Sequence, residues 1–450
     1  MKFIFPKIKI IISLFLVFSS NSFLFSQSNK VDIKRTKRGI TLEVDGSNFI
    51  INGMNWDVVP IGTSVVDSNF WGKSNEVIKI GLHREMSLLK EMNVNVIRHY
   101  IDIPAKWIQY IYENYGIYTL LNHSFGRYGL IVNGVWDPKT DYSNPDIQKA
   151  LLSEIKQLTN EYKNTPGLLM YLLGNENNYG LFWSGADTED FPEEEKKQIV
   201  GEKRGRPMYK LMNDAAKIIK EIDPNHPVAI CNGDLLFIDI IAQECNEIDV
   251  FGVNSYRGVS FTDLFKTVKE KLDKPILITE FGADAFNAIE NKEDQKSQAY
   301  YLLGNWKEIY ENLASFGKNE NSIGGMTFQF SDGWWKYDFD NRKNANIHDT
   351  IATWSNGGYP IDLTLGENNM NEEWFGICAK GPTDENGLYK LYPRAAFYVL
   401  KKIHQLNPTK KSIDRKSLTN YFNNIDLLGS VKKGKLNEEA LRRINMNSKE

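Results

Sequence analysis

The chain has 450 residues, 42% of them hydrophobic, and its 54 basic and 57 acidic side chains leave a net charge of −3. That length holds one large barrel or two ordinary domains, with a full core that needs no metal or disulfide staple. A near-neutral chain excludes nucleic acid as the main partner, and three cysteines without a CxxC spacing exclude a disulfide framework or zinc knuckle.

The first element is a targeting segment. Lys2, Lys7 and Lys9 precede the apolar run Ile10–Phe18, and Ser19, Ser20 and Ser22 follow it. This is the order of a secretory signal, with cleavage expected between Ser22 and Gln27. The apolar part is short for a membrane span of about 20 residues, so residues 1–26 are expected to be removed, an uncleaved anchor being the alternative. Their loss takes away three lysines and no acid, moving the net charge from −3 to −6. The expected product is exported, periplasmic or extracellular.

Next comes a hairpin. Ile40–Val44 and Phe49–Asn52 flank Asp45-Gly46, a pair suited to a turn that needs positive φ. After it, short apolar runs alternate with amphipathic stretches. The runs are Ile50–Met54, Val94–Tyr100, Ile117–Leu121, Leu168–Leu173, Val228–Cys231, Val250–Asn254, Ile276–Thr279 and Met326–Phe330. None has a polar face, as expected of parallel strands covered on both sides. Between them, Leu82, Met86, Leu89 and Met92 share one helical face, as do Ile147, Leu151, Ile155 and Leu158, and Leu211, Ala215, Ile218 and Ile222. Eight strands with interleaved helices predict an α/β fold, a single (β/α)₈ TIM barrel over residues 27–407. No G-x-G-x-x-G follows a strand, which argues against a dinucleotide-binding sheet. Residues 408–450 form a Lys-rich polar tail.

Two of the runs lead into a glutamate. The fourth continues as Gly174-Asn175-Glu176 and the seventh as Thr279-Glu280-Phe281-Gly282. A carboxylate at the end of an apolar strand must find partners or shift its pKa. The two lie 104 residues apart, about three βα units, which places them across the barrel mouth from one another. Paired carboxyls over a cleft are the equipment of glycoside hydrolysis, one giving a proton to the leaving oxygen and the other attacking the anomeric carbon. Long connections after the fourth and eighth strands carry Tyr179, Phe182, Trp183, Trp334, Trp335, Trp354 and Trp374. Such aromatics suit either a sugar cleft or a small core bracing the loops.

Competing chemistries lack their residues. The six histidines never form a His-x-His pair for a metal-dependent barrel hydrolase, and no G-x-S-x-G follows a strand. Asp338-Phe-Asp340 lacks the glycine and distal glutamate of a calcium loop. No metal and no cofactor is expected.

The two glutamate motifs together resemble the clan of retaining β-glycosidases built on (β/α)₈ barrels. The nearest likeness is to the catalytic domain of glycoside hydrolase family 2, with family 5 and the β-1,3-glucanosyltransferases as relatives. The resemblance implies Glu176 as acid/base and Glu280 as nucleophile. It further implies Asn175 as a donor to the sugar 2-hydroxyl, Arg98 as the cation that holds the nucleophile ionised, and Tyr256, in Asn254-Ser-Tyr256, as a hydrogen-bond partner of the nucleophile. Asn254 and Trp334 complete the expected substrate-binding set; Asn254 as a local cap is the plainer alternative. The expected substrate is an oligo- or polysaccharide with β linkages, such as a β-glucan. Transfer to an acceptor sugar and a catalytically silent carbohydrate-binding barrel are the alternatives. The β-sandwich domains that usually precede the barrel in family 2 have no counterpart between the signal and the hairpin.

Overall fold

The computed structural model describes residues 28–65, 67–100, 103–182, 194–336, 345–362, 368–410 and 413–447. The expected signal segment, Trp183 and the Asp338-Phe-Asp340 motif lie outside the described residues. Eight parallel strands close into a barrel: β1 (Ile51–Asn55), β2 (Val96–His99), β3 (Tyr118–His123), β4 (Leu168–Leu173), β5 (Val228–Gly233), β6 (Val250–Asn254), β7 (Ile276–Phe281) and β8 (Ser322–Thr327). Each strand pairs with the next in sequence, and β8 pairs with β1. The outer ring is α1 (Asn75–Glu91), α2 (Ala105–Tyr115), α3 (Pro145–Tyr162), α4 (Arg206–Ile222), α5 (Ile238–Glu244), α6 (Leu264–Lys271), α7 (Gln295–Glu311) and α8 (Ala395–Ile403). The predicted TIM barrel is therefore the observed fold.

The apolar runs are strands because both of their faces are covered. On β7, Leu277 joins the cluster inside the barrel, while Ile276 and Ile278 join the layer under the helices. The helix faces follow the predicted spacing in α1 and α3, where Leu82, Met86, Leu89, Ile147, Leu151, Ile155 and Leu158 are buried. Each fully buried side chain of this size contributes about 1.5–3 kcal/mol. Ser74 caps α1 through Val77 N, and Asn144 caps α3 ahead of Pro145. The stripe of α4 is rotated from the expected one. Met208, Leu211, Met212, Ala215, Ala216 and Ile219 are buried, whereas Ile218 and Ile222 sit at its edge.

The predicted hairpin is present as Gly39–Val44 against Ser47–Phe49, with Asp45 and Gly46 at φ 49° and 77°. A further strand, Val31–Thr36, pairs along Gly39–Val44 to make a three-stranded sheet. Its Val31, Leu42 and Val44 join the inner barrel cluster and close the barrel's N-terminal end. This leaves the C-terminal end for the site. Beyond α8, α9 (Arg415–Asn423) buries Leu418 and Phe422 in the main core. The last helix, α10 (Leu427–Asn447), is tied to the barrel by Asn437 Nδ2, which donates to Pro393 O at 2.8 Å. Among the described residues no helix is long and apolar enough to cross a membrane.

Candidate active site

The strands deliver their polar residues to one level at the C-terminal end. Asn55 on β1 pairs in register with Arg98 on β2, and Asn254 on β6 pairs with Glu280 on β7. A register shift at Val253/Asn254 brings that last pair together. Glu176 lies three residues beyond β4, in the left-handed region at φ 56°, and its N–H donates to Cys231 O at 3.0 Å. Gly174 at φ 83° opens this sharp turn.

Glu280 is held from three directions. Arg98 Nη1 donates to its Oε1 at 3.0 Å, the Tyr100 hydroxyl donates to the same oxygen at 2.6 Å, and the Tyr256 hydroxyl donates to Oε2 at 3.0 Å. Arg98 is fully buried and spends its other nitrogens on Asn122 Oδ1 at 2.8 Å and Asn175 Oδ1 at 2.9 Å. Burial works against its charge, but Tyr100, Cys231 and Glu280 outweigh it and raise its pKa. Burial, with the nearby charge of Glu280, pushes both tyrosines well above the ordinary phenol range, so they stay donors.

Glu176 stands in the opposite environment. Its Oε1 accepts one hydrogen bond, from Asn254 Nδ2 at 3.0 Å. Burial first, and then the negative charge of Glu280, raise its pKa from 4.5 to about 7, against the lowering effects of Asn254 and Arg127. Asn254 is itself oriented by Thr279 Oγ1, which donates to its Oδ1 at 2.8 Å. Asn175 Oδ1 accepts from both Arg98 and Asn254, while its Nδ2 donates to the Tyr128 hydroxyl at 2.9 Å. Six of the predicted residues, Glu176, Glu280, Arg98, Asn175, Asn254 and Tyr256, thus form one connected network.

Trp334 belongs to a different group of contacts. Its ring stacks on His348 with centroids 4.3 Å apart, and His348 stacks on Trp374 at 3.7 Å. Trp374 Nε1 donates to Asp349 O at 2.7 Å, so this stack braces the segment after β8. Trp335 Nε1 reaches Asp57 Oδ2 at 3.4 Å. Trp354 meets Tyr256, a hydrogen-bond partner of Glu280, edge-on at 5.7 Å. In the loop after β4, Phe182 stacks on Phe237 at 6.0 Å.

Sequence reasoning missed Tyr100, Asn55 and Asn122. Tyr100 follows Arg98 by two residues in a stretch taken for a longer strand, and a tyrosine there carries no motif. Asn55 donates to Thr279 O at 3.0 Å and lies 2.9 Å from the Tyr100 hydroxyl, so it positions both neighbours. Among the described residues no group of three or more His, Cys, Asp or Glu is gathered to hold a metal ion.

Two carboxyls at the ends of β4 and β7, Glu280 clamped by a cation and two phenols and Glu176 given a single donor, are equipped to divide nucleophilic and proton-transfer work. Among known proteins, the family described as glycosyl hydrolases family 2, TIM barrel domain, matches residues 42–346, about two-thirds of the chain. The chain belongs to this family.

Other relatives of this family 2 barrel are more distant. A curated protein of Saccharomyces cerevisiae, named "Probable 1,3-beta-glucanosyltransferase GAS3", is 23% identical over 320 residues, covering 64% of this chain and 53% of that protein. A β-glucuronidase of Bacteroides uniformis is similar in structure, with a TM-score of 0.50 and 13% identity over 85% of this chain and 38% of that one. A β-glucuronidase from an uncultured Clostridium species also reaches a TM-score of 0.50, at 14% identity over 84% of this chain and 53% of its own. The structural likeness is one of fold. The chain spans about half the length of the curated relative it matches.

Proposed function

We propose that this family 2 barrel is a retaining β-glycosidase acting on a β-linked neutral glycan, a β-glucan or a related oligosaccharide. The observation that carries the reading is the unequal treatment of the two glutamates. Glu280 receives three donors, including the buried Arg98, and Glu176 receives one, with its pKa raised to about 7. An ionised carboxylate beside a neutral carboxylic acid is what double displacement needs. Glu280 attacks the anomeric carbon while Glu176 gives its proton to the leaving oxygen. Once Glu280 is esterified its charge is gone, its contribution beside burial to the raised pKa of Glu176 disappears, and Glu176 can take a proton from the incoming water. In this reading Asn175 donates to the sugar 2-hydroxyl and Trp354, beside Tyr256, lines the cleft, while the stacking of Trp334 on His348 favours a bracing role for that ring. The signal-like N-terminus supports export to the periplasm or the cell exterior.

Transfer to a second sugar in place of water uses the same first half. The similarity to a protein named as a probable 1,3-β-glucanosyltransferase favours keeping that outcome beside hydrolysis. A 2-deoxy-2-fluoro-β-glucosyl fluoride should trap the intermediate, with the label on the peptide containing Glu280. Product analysis by NMR should show the β-anomer first. Label on another residue, or an α-anomer first, overturns the reading; no label and no turnover of any glycan would favour a silent binding barrel.

A further inference from the structure

The connection from β3 to α3 carries a small hairpin that the carboxyl network does not use. Leu130–Val132 pairs antiparallel with Val135–Asp137, and Asn133 and Gly134 turn the chain at φ 51° and 81°. Ile131 lies directly opposite Trp136, so the two side chains share a face. They are 62% and 58% exposed, and Val135 at the tip is 68% exposed. Exposed apolar side chains gathered on one short hairpin are unusual enough to call for a use.

The hairpin is fixed in place. Gly129, at φ 89°, lies against the indole of Trp136, where a Cβ would stand 2.5 Å from Cζ2. Leu130 is buried in the main core, and Thr140 Oγ1 donates to Gly126 O at 2.5 Å across the base of the loop. Just before the hairpin, Arg127 Nε donates to Asn175 O at 3.1 Å, and the Tyr128 hydroxyl accepts from Asn175 Nδ2 at 2.9 Å. An exposed indole is therefore anchored, through two neighbouring residues, to the residue preceding Glu176.

We propose that this hairpin is a platform for the sugar units beyond the cleaved bond, on the leaving-group side of the cleft. The proposal rests on the glycosidase reading and extends it. The proton donor must stand beside the leaving oxygen, so the departing sugars lie on the side of Glu176, and the hairpin is rooted there. A flat indole beside the isoleucine opposite it offers the C–H faces of pyranose rings an apolar contact. Its exposed face carries no charged side chain, which suits neutral sugars. The same platform holds an acceptor after the first half-reaction. The acceptor hydroxyl oxygen then bonds the anomeric carbon, the ester bond to Glu280 breaks with its electron pair returning to the carboxylate, and the hydroxyl proton passes to Glu176.

The test compares Trp136→Ala with the unaltered full chain on two probes, 2,4-dinitrophenyl β-glucoside and β-1,3-linked glucan oligosaccharides of two to six units. The expected result is a rise of about tenfold in KM for the longer oligosaccharides, a change under twofold in kcat/KM for the aryl glucoside, and loss of products longer than the substrate. Trp136→Phe should recover most of the oligosaccharide KM, which a merely structural role of the indole would not predict. Equal losses on both probes, or an unchanged KM on the oligosaccharides, overturn the platform. An unaltered chain that turns over neither probe overturns the glucan reading itself, and the platform with it.

Discussion

The hydroxyl of Tyr100 lies 2.6 Å from Oε1 of Glu280, closer than either Arg98 or Tyr256 comes to that carboxylate. Burial keeps this phenol protonated far above neutral pH, so it donates throughout the working range. A donor aimed at a carboxylate that must first attack and later leave acts in both halves of the proposed reaction. It steadies the charged ground state and, more usefully, stabilises the carboxylate as it departs from the glycosyl ester.

Replacing Tyr100 with Phe removes the donor and keeps the ring. A hydrogen bond to a charged group is worth about 1.5–3 kcal/mol, which corresponds to roughly 10–100-fold in rate. We expect Tyr100→Phe to lower kcat on an activated aryl glycoside by that range, with breakdown of the glycosyl-enzyme affected more than its formation. Pre-steady-state bursts of aryl alcohol measure the split. A variant with full kcat and no burst would remove Tyr100 from the mechanism.

The pKa of Glu176, raised to about 7 chiefly by burial and then by Glu280, sets the pH at which the proposed acid stops working. The proton donor must hold its proton, so kcat/KM on a glycoside with a poor leaving group should fall as pH rises through about 7. The hydrogen bond from Asn254 lowers this pKa, so Asn254→Ala should carry the basic limb to higher pH. An aryl glycoside that leaves without protonation should lack the limb. A limb that moves downward in Asn254→Ala contradicts the assignment of Glu176 as the donor.

How much of this was readable beforehand depended on whether chemistry interrupts pattern. Glu176 and Glu280 stood out because each follows an apolar run that has no other reason to end in a charge. Arg98 and Asn254 came with the family resemblance of the glutamate motifs, since neither an arginine nor an asparagine at a strand end is a signal by itself. The eighth strand was displaced in the sequence reading, which took Met326–Phe330, whereas the strand is Ser322–Thr327. Gly324 and Gly325 dilute the apolar run there. At Gly324, with φ 125°, a Cβ would stand 2.2 Å from Ile51 O, so the close approach of β8 to β1 excludes the larger residues that would have marked it. Tyr100, Asn55 and Asn122 were invisible because their roles arise only when strands distant in sequence bring their ends to one level. The strand Val31–Thr36 was missed because its exposed half, Lys34-Arg35-Thr36, reads as polar linker.

Stability should also report on Glu176. Its folded-state pKa lies above the unfolded value of 4.5, so the folded chain binds the proton more tightly than the unfolded one. The resulting stabilisation is fully present below pH 4.5 and is lost as pH rises through about 7. Glu176→Gln, which never ionises, should gain on the unaltered protein over that window by on the order of 3 kcal/mol. Urea midpoints at pH 5 and pH 8 test it, and parallel pH curves for the two proteins would refute it.

The buried pair Arg394 and Asp332 ties the segment after β8 to the start of α8. Arg394 donates to both Asp332 oxygens, at 2.6 and 2.8 Å, and to Glu293 Oε1 at 2.8 Å and Gly376 O at 2.6 Å. Both side chains are about 1–2% exposed. Removing one member of such a pair leaves the other charged and dry, a cost of about 3–5 kcal/mol. Arg394→Met keeps much of the apolar stem, so most of its cost falls on Asp332. Burial raises the Asp332 pKa to about 6 even with the arginine present, and loss of the cation raises it further. At pH 5 the orphaned carboxyl takes a proton and much of the cost is relieved; at pH 8 it must ionise or strain the fold. The stability gap between Arg394→Met and the unaltered chain, measured by urea unfolding, should therefore widen from pH 5 to pH 8. A gap that is constant, or that narrows, would show that the arginine acts through packing alone.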